Sequence, residues 1–450
     1  MNPIGSTAER RHGDGPDALP RGLGTVHHAW KYVVTRKICL RSPWQTGTSI
    51  PDTRLECDNE RTALMTNQVN APRKAAGRSA AAKSVKSATA APAKRAPRAK
   101  VTKRTPTEVA ALTEIYRQML LIRRFEERAA RSYTQALIGG YCHLNLGEEA
   151  AVVGLLSALA TTDYLFTNYR EHGYAINRGI DPNRVMAELY GRIDGVSKGW
   201  GGSMHMFDIS HRLLGGYGIV GGQIPLATGA ALAIDYRGGS EVVMCTMGDG
   251  TTNIGAFHES LNIAALWNLP IVYVIINNRL GMGTTVEKSS AEPELFRRGE
   301  AYRIESARVD GLDPLAVAEA SAKAVTVARA GRPYLLEVVS ERLRGHSVVD
   351  PAKYRTEAEI VQLREHDPVV TFGAKLVRER VIDADTMAAI EHEVTARIDE
   401  AAAFAEASPT PDVATLFDYT YATPVANDSR RLPGQPLFDP APLPDPGEDQ

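Results

Sequence analysis

The chain has 450 residues, 43% of them hydrophobic, and a formal net charge of -1. That apolar content supports a sizeable core and excludes disorder throughout; no apolar run reaches the ~20 residues that span a bilayer. The near-zero charge hides an asymmetry, because residues 66–104 hold eleven Lys/Arg and no Asp or Glu, which leaves -12 on the rest of the chain.

Residues 1–64 mix Gly, Pro, Arg and polar residues without periodicity, and the first 25 residues carry Glu9, Asp14 and Asp17 with no apolar h-region. No secretory signal is expected there, and Met65 reads as a possible start of the translated chain. Residues 66–104 are Ala/Lys/Pro/Arg-rich and cannot bury enough apolar area to offset chain entropy. A disordered tether is expected over 1–104; binding of this basic segment to nucleic acid is the competing function class, and nucleic acid is not the expected partner. Order begins at Thr105-Pro-Thr-Glu, a helix start with Pro at the first position. Leu112, Ile115, Met119, Ile122 and Phe125 continue at helical spacing. Further helices are expected at 148–159, 184–190, 225–234, 254–267, 314–330, 357–365 and 384–405. Buried strands are expected at 241–247, 270–276 and 334–340, each a near-continuous apolar run. Strands alternating with helices predict an α/β fold, a mostly parallel sheet with helices on both faces. The expected body is 105–422, followed by a Pro-rich disordered tail at 423–450. The four cysteines (Cys39, Cys57, Cys142, Cys245) show no metal-type pairing and fit a reducing compartment.

The motif that carries most chemistry is Gly248-Asp-Gly250 followed, after 26 intervening residues, by Asn277-Asn278. A helix and a strand lie between, so one βαβ crossover puts Asp249 and Asn278 beyond the carboxyl ends of two parallel strands, where open α/β sheets bind ligands. One carboxylate, one amide oxygen and one loop carbonyl suit Mg²⁺, whose other positions would go to two phosphates and a water. Glycines beside Asp249 allow close backbone approach to phosphate, and the helix at 254–267 is expected to aim its N-terminus at the same anion. A formal G-x-G-x-x-G at Gly216–Gly221, with Asp235 fourteen residues beyond, is not taken as a dinucleotide site, because no convincing strand precedes it.

Gly-Asp-Gly with Asn-Asn at this spacing resembles the thiamine-diphosphate motif. Lys198-Gly-Trp-Gly-Gly-Ser-Met-His-Met206, Gly218-Ile-Val-Gly, Ala264-Ala-Leu-Trp267, Gly281-Met-Gly-Thr284 and Gly345-His-Ser347 occur in the order seen in α subunits of the pyruvate dehydrogenase E1 component. The resemblance covers about residues 105–405. It implies a thiamine-diphosphate-binding fold and decarboxylation of pyruvate, with transfer of the acetyl group to a lipoyl group. It further implies Asp249, Asn278 and the Leu280 carbonyl as Mg²⁺ ligands, and Tyr169, Arg170, Gly218, Val220, Gly250, Thr251 and His346 on the cofactor. His143 and His346 are the implied catalytic histidines, and His172 is a further candidate for the site. Leu280 stands where relatives have tyrosine, Thr251 where alanine is common, Arg344 where a histidine is frequent, and Trp200 for Lys or Arg. Ser347 matches a serine phosphorylated in mitochondrial relatives.

Only the diphosphate half of such a site is found here, so the resemblance implies a separate E1 β subunit in an α₂β₂ heterotetramer and a lipoyl-bearing E2 acyltransferase as the next partner. Branched-chain 2-oxo acid and acetoin dehydrogenase α subunits share the frame and are the alternatives. A cytoplasmic location is expected, with the mitochondrial matrix as the alternative.

Overall fold

The computed structural model describes residues 104–416 and 418. The expectations for residues 1–103 and for the tail at 423–450 lie outside the described residues. Helix α1 (Pro106–Thr134) begins where the sequence marks it. Thr105 Oγ1 accepts from the Glu108 amide at 3.2 Å, and the Glu108 carboxylate accepts from the Thr105 amide at 2.7 Å. This reciprocal cap satisfies two amides that a helix end leaves open. Ile115, Met119, Ile122 and Phe125 form its buried stripe.

In chain order there follow α2 (Glu149–Leu156), β1 (Tyr164–Asn168), α3 (His172–Asn177), α4 (Pro182–Leu189), β2 (Leu213–Tyr217), α5 (Gln223–Arg237), β3 (Val243–Gly248), α6 (Gly255–Trp267) and β4 (Ile271–Asn277). A small antiparallel hairpin, β5 (Leu280–Gly281) with β6 (Thr284–Thr285), precedes α7 (Val286–Ser289). The chain then forms β7 (Glu305–Asp310), α8 (Pro314–Arg329), β8 (Tyr334–Val339), α9 (Glu357–Glu365), α10 (Pro368–Arg378) and α11 (Ala384–Ala407). Six strands make one sheet in the order β2-β1-β3-β4-β8-β7, every pair parallel. The expected α/β class with a parallel sheet is therefore observed. Two apolar clusters cover it. One joins α1, α2 and α8 to Met244, Val272, Val274 and Leu336; the other joins α5 and α6 to Val243, Cys245, Tyr273 and Leu335. Alternate residues of β3, β4 and β8 thus face opposite layers, which is why these strands read as unbroken apolar runs. Helices α2 and α8 approach closely at Gly154, where an added Cβ would lie 2.6 Å from Val317 Cβ.

The sequence reading misses three strands of the six-stranded sheet, and the two-residue strands of the β5–β6 hairpin. β7 is an edge strand with a half-exposed, charged pattern, and β2 is the other edge strand, with two glycines. β1 is interior but only five residues long with polar ends. Short α3 and the Asp367-capped, Pro368-started α10 are missed as well. β2 also corrects the reason given for setting aside Gly216–Gly221: a strand does precede that loop and α5 does follow it. The acidic residue fourteen positions on, Asp235, lies exposed in the last turns of α5 and not at a strand end, so the ribose-binding element of a dinucleotide site is not formed by it.

Arg123 ties the helical layer together. Its Nε donates to Glu149 at 2.7 Å and its two terminal nitrogens to Asp367 at 2.6 and 3.0 Å, all buried, which joins α1 to the starts of α2 and α10. Removing one partner of such a group leaves buried charge uncompensated at about 3–5 kcal/mol. Arg123→Ala should lower the unfolding free energy by about that amount in denaturant titration; a loss under about 1 kcal/mol would mean the triad contributes no more than a surface pair.

Candidate functional site

Sheet order places a switch point between β1 and β3. From β1 the chain moves outward to β2, then crosses back over β1 to β3 and continues the other way. In such sheets the crevice outside the carboxyl ends at the switch point is left open for a ligand. A cavity of about 920 Å³ lies there. Tyr169 and Arg170 enter it after β1, Gly218 and Val220 after β2, Asp249, Gly250 and Thr251 after β3, Asn278 and Leu280 after β4, and His346 after β8. His143 enters from the loop before α2. All eleven residues that the resemblance assigns to metal, cofactor or catalysis therefore line one cavity. Ser347 lines it too.

His172 does not. It is fully buried, with Nδ1 3.0 Å from Glu126 Oε2 and Nε2 2.8 Å from Ser203 Oγ. It braces the backbone behind His143, whose amide donates to the same Ser203 hydroxyl at 3.3 Å. The glycine-rich loop leading to Ser203 is held by one buried carboxylate. Glu188 accepts from the amides of Ser197, Gly199, Gly201 and Gly202 at 2.7–3.0 Å. The helix N-terminus expected to face an anion is also set back. A 3-10 turn, Asp249–Asn253, separates β3 from α6, and it is this turn that lines the cavity.

Electrostatics of the cavity are uneven. Arg170 is buried, and its terminal nitrogens donate only to main-chain carbonyls, Leu144 at 2.9 Å and His346 at 2.5 Å. Arg342, just past β8, donates to the carbonyls of Leu280 (2.9 Å) and Met282 (2.7 Å) and to Tyr354 Oη (2.8 Å). Among the described residues no carboxylate lies within ion-pair distance of either guanidinium. Two buried cations without a paired anion call for one from outside. In the same cavity, burial pushes the Asp249 carboxyl up to about 6, and the Glu148 charge adds to this against the pull of Arg342 and Arg170. A buried carboxylate so destabilised is a good partner for a divalent cation. The glycine cradle is real as well: a Cβ on Gly248 would meet nothing within 4 Å, and one on Gly250 would meet only Gly281 Cα at 3.9 Å, so both face open cavity. Donor set and cradle fit an anionic ligand held partly through a hard cation. No group of three His, Cys, Asp or Glu side chains among the described residues forms a metal site without such help.

The two histidines sit together over Tyr169, with ring centroids 4.5 Å (His143–Tyr169) and 5.1 Å (His143–His346) apart. Burial first, and the Arg170 charge second, lower His143 to about 3 and His346 to about 4. Both Nδ1 atoms are buried with no hydrogen-bond partner. At neutral pH they are uncharged imidazoles, each with one ring nitrogen that makes no hydrogen bond.

Glu148 and Arg342 escape the sequence reading. Glu148 precedes α2 and reads as an ordinary acidic residue at a helix start, yet its side chain makes no cap bond and faces the cavity. Arg342 follows an apolar strand by three positions, and the rule that strand carboxyl ends carry the site could have found it.

Fold and cavity together define an open parallel α/β protein that takes its ligand at the sheet's switch point. Comparison with known proteins narrows this. Residues 117–414 match the family model described as dehydrogenase E1 component. Over 304 residues the chain is 46% identical to the pyruvate dehydrogenase E1 component subunit alpha of Rhizobium meliloti, covering 67% of this chain and 87% of the relative. The corresponding subunit of Zymomonas mobilis is 45% identical, with 67% and 85% covered. The human somatic, mitochondrial form is 42% identical, with 68% and 79% covered. The chain belongs to the dehydrogenase E1 component family.

The lowered imidazoles have a pH consequence. Below about pH 6.5 the unfolded chain takes up protons at these histidines and the folded chain does not, so folding stability falls as pH falls through that range. In the folded chain, imidazole NMR should find His143 and His346 still neutral at about pH 5, with midpoints near 3 and 4 where the fold persists. A midpoint near 6.5 for either would contradict the buried, uncompensated setting described here.

Proposed function

We propose that the chain is the α subunit of a pyruvate dehydrogenase E1 component and binds thiamine diphosphate with Mg²⁺ in the switch-point cavity. The observation that carries this reading is the meeting of Asp249, Asn278 and the Leu280 carbonyl with two buried guanidiniums that lack a paired anion. In this reading Asp249, Asn278 and Leu280 hold the cation. Arg170, Tyr169 and His346 take the diphosphate, Gly250 and Thr251 line its bed, and the Gly218 and Val220 backbones hold the aminopyrimidine. When bound, the cofactor supplies an electron sink for loss of CO₂ from a 2-oxo acid. The protein's share is different. Arg170 offers permanent charge in a fixed fork. His143 and His346, both neutral, line the cavity and can donate or accept a proton there. Burial of His143 and Arg170 keeps water from the reacting atoms.

The cavity needs a second wall. Exposed apolar residues lie on the loop before α5 and along α5 and α6: Ile219 (79% exposed), next to the cavity-lining Gly218 and Val220, and Leu226, Tyr236 (90%), Leu266 and Trp267. A patch of this kind is a protein contact surface. An E1 β subunit is the proposed occupant, in an α₂β₂ heterotetramer, and the lipoyl-bearing E2 acyltransferase is the proposed acceptor of the acetyl group. No helix among the described residues is long and apolar enough to cross a membrane. The free, buried thiols of Cys142 and Cys245 fit a reducing compartment, and the cytoplasm is the proposed location.

Co-purification with the cognate β chain, followed by decarboxylation assays on pyruvate and on a branched-chain 2-oxo acid, tests the reading. Activity on pyruvate that requires thiamine diphosphate and Mg²⁺ is expected. Asp249→Asn should weaken Mg²⁺-dependent cofactor retention by more than the roughly 10–100-fold typical of losing an outer-shell partner, with the melting temperature of the cofactor-free complex little changed. Equal retention by wild type and variant in equilibrium dialysis would sink the ligand assignment.

A further inference from the structure

Glu148 occupies a place that helix capping does not explain. It is the residue immediately before α2, its side chain makes no cap bond, and it is 2% exposed while lining the cavity. Both its oxygens are used. Oε2 accepts from Asn145 Nδ2 at 3.0 Å, and Oε1 accepts from Asn278 Nδ2 at 3.3 Å. Asn145 is itself fixed: its Nδ2 also donates to the Arg170 carbonyl at 3.1 Å, and its Oδ1 accepts from the Gly173 amide at 3.0 Å.

The consequence falls on Asn278. An amide side chain can present either oxygen or nitrogen in a given direction, and the two differ little in shape. A carboxylate can only accept. With Glu148 on one side, the nitrogen of Asn278 must face it and the oxygen must face away. The contact of Asn278 Oδ1 with the Leu280 amide, 3.4 Å, agrees with that orientation. A hard cation binds the oxygen and is repelled by the NH₂. We infer that Glu148 is a positioning residue for the cation site, acting through Asn278 by holding its amide oxygen toward the cavity. This rests on the reading of Asn278 as a metal ligand.

Glutamine at this position makes a specific test, because it fills the same space. Its single oxygen cannot serve both Asn145 Nδ2 and Asn278 Nδ2, so its own nitrogen competes for the place beside Asn278 and favours the flipped amide. The measurement is Mn²⁺ binding followed by electron paramagnetic resonance, on the chain purified with its β partner and saturated with thiamine diphosphate. Four proteins are compared: wild type, Glu148→Gln, Asn278→Ser, and the double variant. Asn278→Ser keeps an oxygen but has no amide to orient. Glu148→Gln should raise the Mn²⁺ dissociation constant about 10–100-fold in the wild-type background, the usual cost of losing an outer-shell partner. In the Asn278→Ser background it should change it by less than about twofold, because the two sites act as one unit.

An equal loss in both backgrounds would overturn the inference, since Glu148 would then act on the cation by its own charge or as a direct ligand. No loss in the wild-type background would overturn it too. Asp249→Asn serves as the separate control: if it leaves Mn²⁺ binding unchanged, the cation site itself is misassigned, a failure that is distinct from a failure of Glu148 alone. Glu148→Asp, which keeps two acceptor oxygens on a shorter arm, should retain more affinity than Glu148→Gln; if Glu148→Gln does not fold, the same pair of backgrounds is measured with this variant.

Discussion

Six parallel strands point their carboxyl ends to one side, and the chain changes direction between β1 and β3. Loops leaving neighbouring strands part at that place, and the crevice between them cannot be closed by the sheet itself. Everything functional in the molecule depends on this. Residues as far apart in the chain as Tyr169 and His346 share one cavity because five strands deliver their next loop to the same edge. Parallel strands also have to be buried on both faces, so helices cover the sheet's two faces and the crevice opens only at its carboxyl edge.

The interior of that cavity is not neutral, and its charges are arranged at some cost. Arg170 is buried against carbonyls alone and Arg342 against carbonyls and the Tyr354 hydroxyl, while Asp249 and Glu148 line the same cavity without closing ion pairs with them. A stability-driven core would have paired or removed these groups. Kept apart, they form a bed with separate places for an anion and for a cation. The two histidines add the opposite property, neutral rings with unused nitrogens. Outside the cavity, charges are paired in the ordinary way, as in the Arg123 triad and in the ion pair of Arg329 with Asp163 at 2.6 Å. A chain whose net charge outside the basic segment is negative thus meets an anion through local devices, not through its overall field.

Loop architecture extends the same logic. The Leu280 carbonyl, proposed as a metal ligand, is held by Arg342, which also holds Met282 and Tyr354. Tyr354 in turn donates to Asp350 at 2.7 Å, and Asp350 accepts from the His346 amide at 2.6 Å. One guanidinium therefore couples the hairpin after β4 to the long loop after β8. Glu188 does the same for the glycine-rich loop, and Glu148 for Asn278. Buried polar side chains here serve mainly to set main-chain and amide directions at the cavity.

Much of this was legible in the amino-acid order. Unbroken apolar runs identified β3, β4 and β8 because burial on both faces removes alternation. Gly-Asp-Gly and Asn-Asn located the site because glycine and small oxygen-bearing side chains at strand ends have few other uses in combination. β1, β2 and β7 were not legible, since short or edge strands need little apolar content and their identity comes from the neighbour they pair with. His172 could not be told from a site histidine by its motif; only its contacts with Glu126 and Ser203 make it a brace. Composition and local pattern determined the class of fold and the residue types of the site, because those depend on periodicity and on chemistry carried by each side chain. Tertiary structure alone decided which strands are neighbours, which way Asn278 faces, and that Arg342 and Glu148 join the site, because these follow from contacts between residues far apart in the chain.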